Sequence, residues 1–505
     1  MEALILAAGM GERLNQITKG MPKALAPVAG VPLLCRILDS LKEAGVTSAH
    51  IVLGYGRREI IRQVGKKEYD GLPIHYIKNP DWEKGNLYSL LAAEGRFEGV
   101  FLLVMSDHLF DPRIVAHLAS SKSEGALTLA VDRGEPSPED TKVLEKSGKI
   151  RDIGKELKKH NCVDIGIFLC SPKIFRYAQK AAEDGNGELS DCIRYAALAG
   201  DARTFDITKI SSYVSEMRRR VGISWIDVDT PEDLKRAKSS LVRSSGKGAS
   251  DLLAHYVHRP IEDKLIYHLS DTRITPNHLT IATNLVAYSV TALFFFGHLL
   301  VASVLTFAVG LMDGLDGKLA RVRGRSTKLG TLEHPFDLLF ESSWLVALAL
   351  FLSRSWGSLP LVLCALSIIF IAFYRHCYDQ FRRAMDRSLD DYGGFERKFR
   401  RIAGRRNLYN IHILVWILIG APFYSLVTIL GHSIITAGVY AARAGMHMHA
   451  ADKKLITPLG ERGFLRRVLR VRRRRGCVYG EKSMPESSDG GRVSRKWENS
   501  KKIEF

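Results

Sequence analysis

The first 240 residues contain no apolar run long enough to cross a membrane, and the whole chain contains no Cys-x2-Cys pair. The first absence excludes a transmembrane segment from the N-terminal half. The second excludes the common structural zinc sites. Seven cysteines scattered at 35, 162, 170, 192, 364, 377 and 477 give no disulfide framework either, which suits a reducing cytoplasmic setting. The N-terminus lacks a basic leader, and its apolar stretch breaks at Gly9-Met-Gly11, so it reads as a strand and not as a secretory signal. The pattern G-x-G-x-x-G is missing there too, which counts against a dinucleotide-binding Rossmann enzyme. Beyond Lys453 the apolar runs stop. The basic stretch Phe464 to Arg475 is expected to touch anionic lipid and the Ser/Gly/Lys-rich remainder to be disordered; no folded aromatic surface accompanies that charge, so nucleic acid is not expected as a partner.

What is present is unevenly distributed. The 505 residues carry a net charge of +19, and the stretch from 279 to 445 is dense in apolar runs. Two modules are implied: a soluble first half and a membrane-embedded second half whose basic loops mark the cytoplasmic side. Apolar runs near 279–300, 301–320, 336–353, 357–374, 411–430 and 431–445 predict six membrane helices, the last two the shortest.

In the first half, Ala3 to Ala8 is a short buried strand running into Gly9-Met-Gly11-Glu-Arg13, an arrangement that lets backbone N–H groups surround phosphates at a helix start. Lys19-Gly-Met-Pro22-Lys23 follows, so Arg13 and Lys23 add fixed positive charge where a triphosphate would sit. Together these residues resemble the nucleotide-binding signature of the sugar-nucleotidyltransferase superfamily. The resemblance implies nucleotide contacts from Leu6, Ala7, Ala8, Gly9, Gly11 and Lys23, with Lys23 and Arg13 catalytic. Apolar strands alternating with helical stretches argue for an α/β, largely parallel sheet. Val104-Met-Ser-Asp107 ends a strand in an acid, the place where open α/β sheets present ligands, and Trp225-Ile-Asp227-Val-Asp229 puts two acids on one face of a strand before a Pro-initiated helix. Asp107 and Asp227 are the expected metal ligands, with Asp229 as cap or alternative. The order of the remaining motifs resembles the inositol-1-phosphate cytidylyltransferase branch over roughly residues 1–238, and on that resemblance Asn86, Lys142, Lys155 and Asp164 are substrate-side candidates.

Ser239 to Ser250 is small, polar and glycine-containing, and reads as a flexible linker between a domain over 1–238 and a membrane domain over 251–446, with the tail from 447 to 505. Leu252, Leu253, Val257, Ile261, Leu265 and Leu269 recur at helical intervals, which suits a helix lying in the membrane interface. Asp313-Gly-Leu-Asp316-Gly317-Lys-Leu-Ala320-Arg321 then places two carboxylates on one helix face inside an apolar region, a geometry for Mg²⁺ or Mn²⁺ entering with substrate phosphates. With Gly330 after eight further residues, this resembles the signature of the CDP-alcohol phosphotransferase family. The resemblance implies that Gly317, Ala320 and Arg321 meet the nucleotide, Arg321 holding the CDP diphosphate. The family spacing calls for acids at 334 and 338, where this chain has His334 and Leu338. Acids stand instead at Glu333, Asp337 and Glu341, on one helix face at i, i+4 and i+8. The preferred register takes Asp337 as the third metal ligand and Glu341 as general base, because both lie beyond Pro335; Glu333 with Asp337 is the alternative. Arg405 and Arg406 are candidates for the acceptor phosphate.

The expected fold is therefore an α/β, Rossmann-like nucleotidyltransferase domain followed by an all-α, six-helix transmembrane domain. The whole-chain resemblance, over about 1–445, is to the bifunctional inositol-1-phosphate cytidylyltransferase and di-myo-inositol phosphate phosphate synthase family. It implies CTP, a polyol phosphate, a CDP-alcohol and membrane lipids as partners, Mg²⁺ or Mn²⁺ as cofactor, a homodimer through the membrane helices, and both active sites on the cytoplasmic side of the cell membrane. Two rival readings are a lipid alcohol as acceptor and a nucleotidyltransferase for which the second half is only an anchor. Retention of Asp313, Asp316 and Arg321 argues against the anchor, since acids in a bilayer are costly.

Overall fold

The computed structural model describes residues 1–14, 20–65, 69, 71–121, 124–137, 139–211, 213–214, 219–246, 251–324 and 333–456. Gly330, residues 247–250 of the expected linker, and the tail with its basic stretch 464–475 lie outside the described residues. Residues Met1–Ala444 form one compact unit.

The N-terminal strands are β1 (Glu2–Ala7), β2 (Ser48–Leu53), β3 (Ile74–Lys78), β4 (Phe101–Met105), β5 (His108–Phe110), β6 (Leu127–Asp132), β7 (Lys142–Lys146), β8 (Lys149–Gly154), β9 (Cys162–Cys170), β10 (Ala202–Asp206) and β11 (Trp225–Asp227). Nine of them form one sheet in the order β3-β2-β1-β4-β9-β6-β10-β8-β7. Alternation along β1 supplies both faces: Ala3, Ile5 and Ala7 enter one buried cluster, Leu4 and Leu6 the other. The first cluster is covered by α1 (Leu33–Glu43), α2 (Arg57–Val64) and, after α3 (Asn86–Leu91), by α4 (Pro112–Ala119); α3, α5 (Ile174–Glu183) and α6 (Leu189–Leu198) cover the second. Each fully buried Leu or Ile in these layers stabilises the sheet by about 1.5–3 kcal/mol.

The sheet is less parallel than expected. β3-β2-β1-β4 and the β6–β10 pair are parallel, whereas β9 runs antiparallel to β4 and β6, and β8 antiparallel to β7 and β10. The cause is local. Ser147 and Gly148, both at positive φ (55° and 77°), close a two-residue turn between β7 and β8, and strands joined that way must be antiparallel.

Helix α7 (Pro231–Ser244) begins at a capping box between Thr230 and Asp233 with Pro231 in its first turn, and it runs through the first half of the segment expected to be a loose joint. Residues 254–269 follow as a π-helical turn (Ala254–His258) and α8 (Arg259–Leu269), leaving Leu252, Val257, Ile261 and Leu265 exposed along one stripe while Ile266 is buried. Next come α9 (Pro276–Phe295), α10 (Leu299–Val322), α11 (Glu333–Trp356), α12 (Leu359–Met385), the short α13 (Gly394–Phe399), α14 (Arg406–Leu418) and α15 (Phe423–Ile456). Among the described residues five of these, all but α13 and α14, are long and apolar enough to cross a membrane. The expected count of six differs at the run 411–430: the chain turns at Gly420 (φ 79°), so α14 has only 13 residues, and Phe423 starts the last helix.

Candidate functional sites

Antiparallel pairing of β5 with β11 sets His108 opposite Asp227, and the Val228 N–H donates to the Asp107 carbonyl at 3.0 Å. Two acids far apart in sequence are thereby brought to one sheet end. One oxygen each of Asp107 and Asp227 lies with a ring nitrogen of His108 so that all three atoms are within 4.8 Å of one another; Nδ1 is 2.7 Å from Asp107 and 4.0 Å from Asp227. Among the described residues no other set of three acids, histidines or cysteines does this. Oδ1 of Asp227 is buried without a hydrogen-bond partner, so the two carboxylates fit a divalent cation, while Nδ1 of His108 pairs with Oδ1 of Asp107. The other oxygen of Asp107 meets Nζ of Lys23 at 2.7 Å; Lys23 also binds Asp229 and stands 3.9 Å from Asp227.

The fields are strong because the groups lie close together and are mostly shielded from water. Burial works against the charge on Lys23, yet Asp107, Asp227 and Asp229 together hold its ammonium above the ordinary lysine range. For His108, burial again opposes the charge, but Asp227 and Asp107 raise the imidazole to about 9. Burial pushes Asp227 up to about 6 against the pull of His108, and Asp164 up to about 6 against the Gly166 N–H that it accepts at 2.7 Å. Asp107 is held well below the carboxylate range: burial opposes this, and Lys23 and His108 prevail.

Asn86, Asp107, Lys155, Asp164, Glu188 and Asp227 line one cavity of about 340 Å³. Of the expected substrate-side residues, Lys142 points elsewhere and donates to the Lys155 carbonyl at 2.8 Å, while Asn86 already accepts from the Leu189 N–H at 2.6 Å. Leu6, Ala7 and Ala8 are buried at the end of β1, and the Ala8 carbonyl accepts from Tyr55 N–H. Gly11 has φ 72°, and a Cβ there would stand 2.3 Å from the Cβ of Lys23, so only glycine lets the loop close on that lysine. Arg13 pairs with Glu139 at 2.9 Å and stands 3.6 Å from Asp229. His108 and Glu188 were not foreseen, because neither sits in a spacing pattern of its own.

In the membrane helices, α10 presents Asp313, Asp316, Gly317, Ala320 and Arg321. Asp316, 3% exposed, accepts from Thr280 and from the Gly317 N–H at 2.6 Å. Arg406, at the start of α14, binds Asp313 and stands 3.5 Å from Glu341 of α11. Glu341 also accepts from Arg375 of α12. Asp337, Glu341, Arg375, Arg405 and Arg406 line a cavity of about 1010 Å³. Arg405 stands 3.5 Å from Asp251, an almost fully buried acid that composition alone could not single out. Glu333 is the first residue of α11, which therefore starts ahead of Pro335; its side chain lies outside the described residues.

Residues 3–195 match the MobA-like NTP transferase domain, and residues 273–389 match CDP-alcohol phosphatidyltransferase. A relative from Aquifex aeolicus, a bifunctional IPC transferase and DIPP synthase, is 33% identical over 72% of this chain and 80% of its own length. The chain belongs to this bifunctional family. A second member, from Thermococcus kodakarensis, is 31% identical over 69% of this chain and 75% of its own. A solved structure of the inositol-1-phosphate CTP transferase from T. maritima is 26% identical, covering 46% of this chain and 90% of its own with a TM-score of 0.40. Both expected activities, nucleotidyltransferase and CDP-alcohol phosphotransferase, thus have a domain in the chain.

Proposed function

We propose that the N-terminal site joins CTP to inositol 1-phosphate, giving CDP-inositol and pyrophosphate, and that the membrane site transfers phosphoinositol from CDP-inositol to a hydroxyl of a second inositol phosphate, releasing CMP. The observation that supports this most is the convergence of Asp107, His108 and Asp227 beside Lys23, in a chain that also carries the Asp313 to Arg321 signature. In the first step a phosphate oxygen of the substrate attacks the α-phosphorus of CTP in line, so no enzyme nucleophile is required. Lys23 and Arg13 offset charge on the leaving pyrophosphate, and Asn86, Lys155 and Asp164 face the polyol; Lys142 acts through the Lys155 backbone. A divalent cation, Mg²⁺ with Mn²⁺ as substitute, would be held by Asp107 and Asp227, with Asp229 as the alternative to Asp227, and would supply charge neutralisation on the phosphates.

In the second step Arg321 holds the CDP diphosphate beside Gly317 and Ala320, and a carboxylate of α11 takes the acceptor proton; Asp313 and Asp316 would hold a divalent cation, which would supply charge neutralisation on the phosphates. Asp337 as ligand with Glu341 as base is one register. A second is favoured by two observations: α11 already includes Glu333, and Glu341 is engaged by Arg375 and Arg406. In that register Glu333 would be the further ligand of the cation, Asp337 is the base, and Glu341 aims the arginines that, with Arg405, receive the acceptor phosphate. Basic residues at Arg382, Arg383 and Arg397 to Arg406 support a cytoplasmic setting for both sites. The family resemblance also includes pairing of two copies through the membrane helices, which cross-linking in membranes tests. Membranes given CTP and labelled inositol 1-phosphate should make labelled CDP-inositol and then a labelled, water-soluble phosphodiester. A labelled product extracted into organic solvent would instead show a lipid acceptor.

A further inference from the structure

The first domain and the membrane helices share one buried cluster: Ala29, Val242 of α7, Ile266 of α8, and Leu315, Leu319 and Val322 of α10. Polar links surround it. Lys238 of α7, 7% exposed, forms an ion pair with Asp271 and stands 4.0 Å from the centroid of the Tyr267 ring. Gly30 has φ 75°, and a Cβ there would lie 2.4 Å from the Ser270 carbonyl oxygen, so the two backbones touch. At the C-terminal end of α7, Ser245 offers its carbonyl to Nε of Arg321 at 2.7 Å.

That last bond joins the two chemistries. The end of a helix carries carbonyls without intrahelical partners and the negative pole of the helix dipole, both of which favour a guanidinium. Guanidinium groups are planar and rigid, so anchoring Nε fixes the plane in which the two Nη groups donate. Arg321 is also the residue to which the transfer reading gives the CDP diphosphate.

We propose that α7 of the first domain is a positioning element of the membrane site: it orients Arg321 through the Ser245 carbonyl, so that CDP-alcohol binding by the second domain depends on docking of the first. This rests on the transfer reading above. It assigns the N-terminal domain a structural part in the second reaction, apart from making that reaction's substrate.

The test uses the full chain in lipid nanodiscs, as wild type, Val242→Glu, Val242→Ile and Lys238→Met. CDP-inositol formation from CTP is measured first, then CMP release at varied concentrations of supplied CDP-inositol with inositol 1-phosphate as acceptor. Val242→Glu and Lys238→Met should keep CDP-inositol formation within about two-fold while the KM for CDP-inositol in transfer rises about tenfold or more, with a smaller change in kcat; Val242→Ile should match wild type. An unchanged KM in both disruptive variants, or a fall in kcat alone, would overturn the proposal. Should Val242→Glu fail to fold, Lys238→Met decides, since it deletes a charge and keeps the side chain's length. No CMP release from wild type would sink the transfer reading, and this inference with it.

Discussion

Nη1 of Arg406 stands 3.5 Å from Oε1 of Glu341 while Nη2 of the same guanidinium binds Asp313, so one arginine ties the signature helix α10 to α11. If Glu341 serves to aim Arg406 and Arg375, Glu341→Gln should raise the KM for the acceptor phosphate and keep much of kcat. Asp337→Asn should then lose most transfer, on the order of 10²–10⁴-fold for a missing general base. Glu333→Gln should raise the Mg²⁺ concentration needed. CMP release against Mg²⁺ and acceptor concentration separates these effects. A mild Glu333→Gln beside a dead Glu341→Gln would restore Asp337 as ligand and Glu341 as base.

Lys23→Ala and Asp107→Ala should abolish CDP-inositol formation and leave transfer from supplied CDP-inositol at wild-type rate. Lys23 and Asp107 are held by Asp229, Asp227 and His108, and none of these side chains belongs to the cluster that joins the domains. Separate assays of the two reactions decide it, and loss of both in a folded variant would show that the sites are not independent.

A fragment ending at 238 would cut α7 inside its helix and delete Leu241, which packs against the core of the first domain itself. Residues 1–246 should therefore be soluble without detergent, active with CTP, and higher in Tm than residues 1–238. Equal melting temperatures would return the domain boundary to 238. Faster turnover with UTP or ATP than with CTP would overturn the nucleotide assignment.

Gly166 has φ 71°, and a Cβ on it would meet the His108 ring at 2.9–3.0 Å; Gly148 has φ 77° and nothing near a Cβ. Gly148→Ala should thus show backbone strain alone, roughly 1–2 kcal/mol. Gly166→Ala should lose more stability and also require more Mg²⁺ for CDP-inositol formation, because it displaces the imidazole between Asp107 and Asp227. Denaturant unfolding of residues 1–246 and a Mg²⁺ titration of activity check both parts, and matching behaviour of the two variants would refute the role given to His108.

The parts of this protein legible in its sequence were those written in short-range patterns. Alternation in β1, the glycines before Arg13, the i, i+3 acids Asp313 and Asp316, and five long apolar runs all carry their meaning within a few residues. What was not legible depends on long-range pairing. His108 joins the first site only because β5 pairs with β11 across more than a hundred residues, and Arg375 and Asp251 matter only once α12 and α14 surround one cavity. The antiparallel β7–β8 pair had a local cue, Ser147-Gly148, whose weight against the parallel pattern was not evident from composition. The joint at 239–250 misled for the opposite reason: its small polar residues suit a linker, but Leu241 and Val242 at helical spacing from Ala237 and Lys238 bury one face of α7.

At about 1.5 Å per residue, the 13 residues of α14 rise only about 20 Å, well short of a hydrocarbon core of about 30 Å. Its far end leaves Leu418 and Ile419 more than half exposed, an apolar surface that suits acyl chains better than water. The turn there is built for such a place, since the amides of Ile419, Gly420 and Ala421 all return to carbonyls of α14. Bilayer thickness thereby becomes a variable for the enzyme: lipids with longer tails create hydrophobic mismatch at α14, relieved by local thinning or by tilting the helix that carries Arg406. Transfer, more than nucleotide activation, should follow the acyl-chain length of the membrane around it.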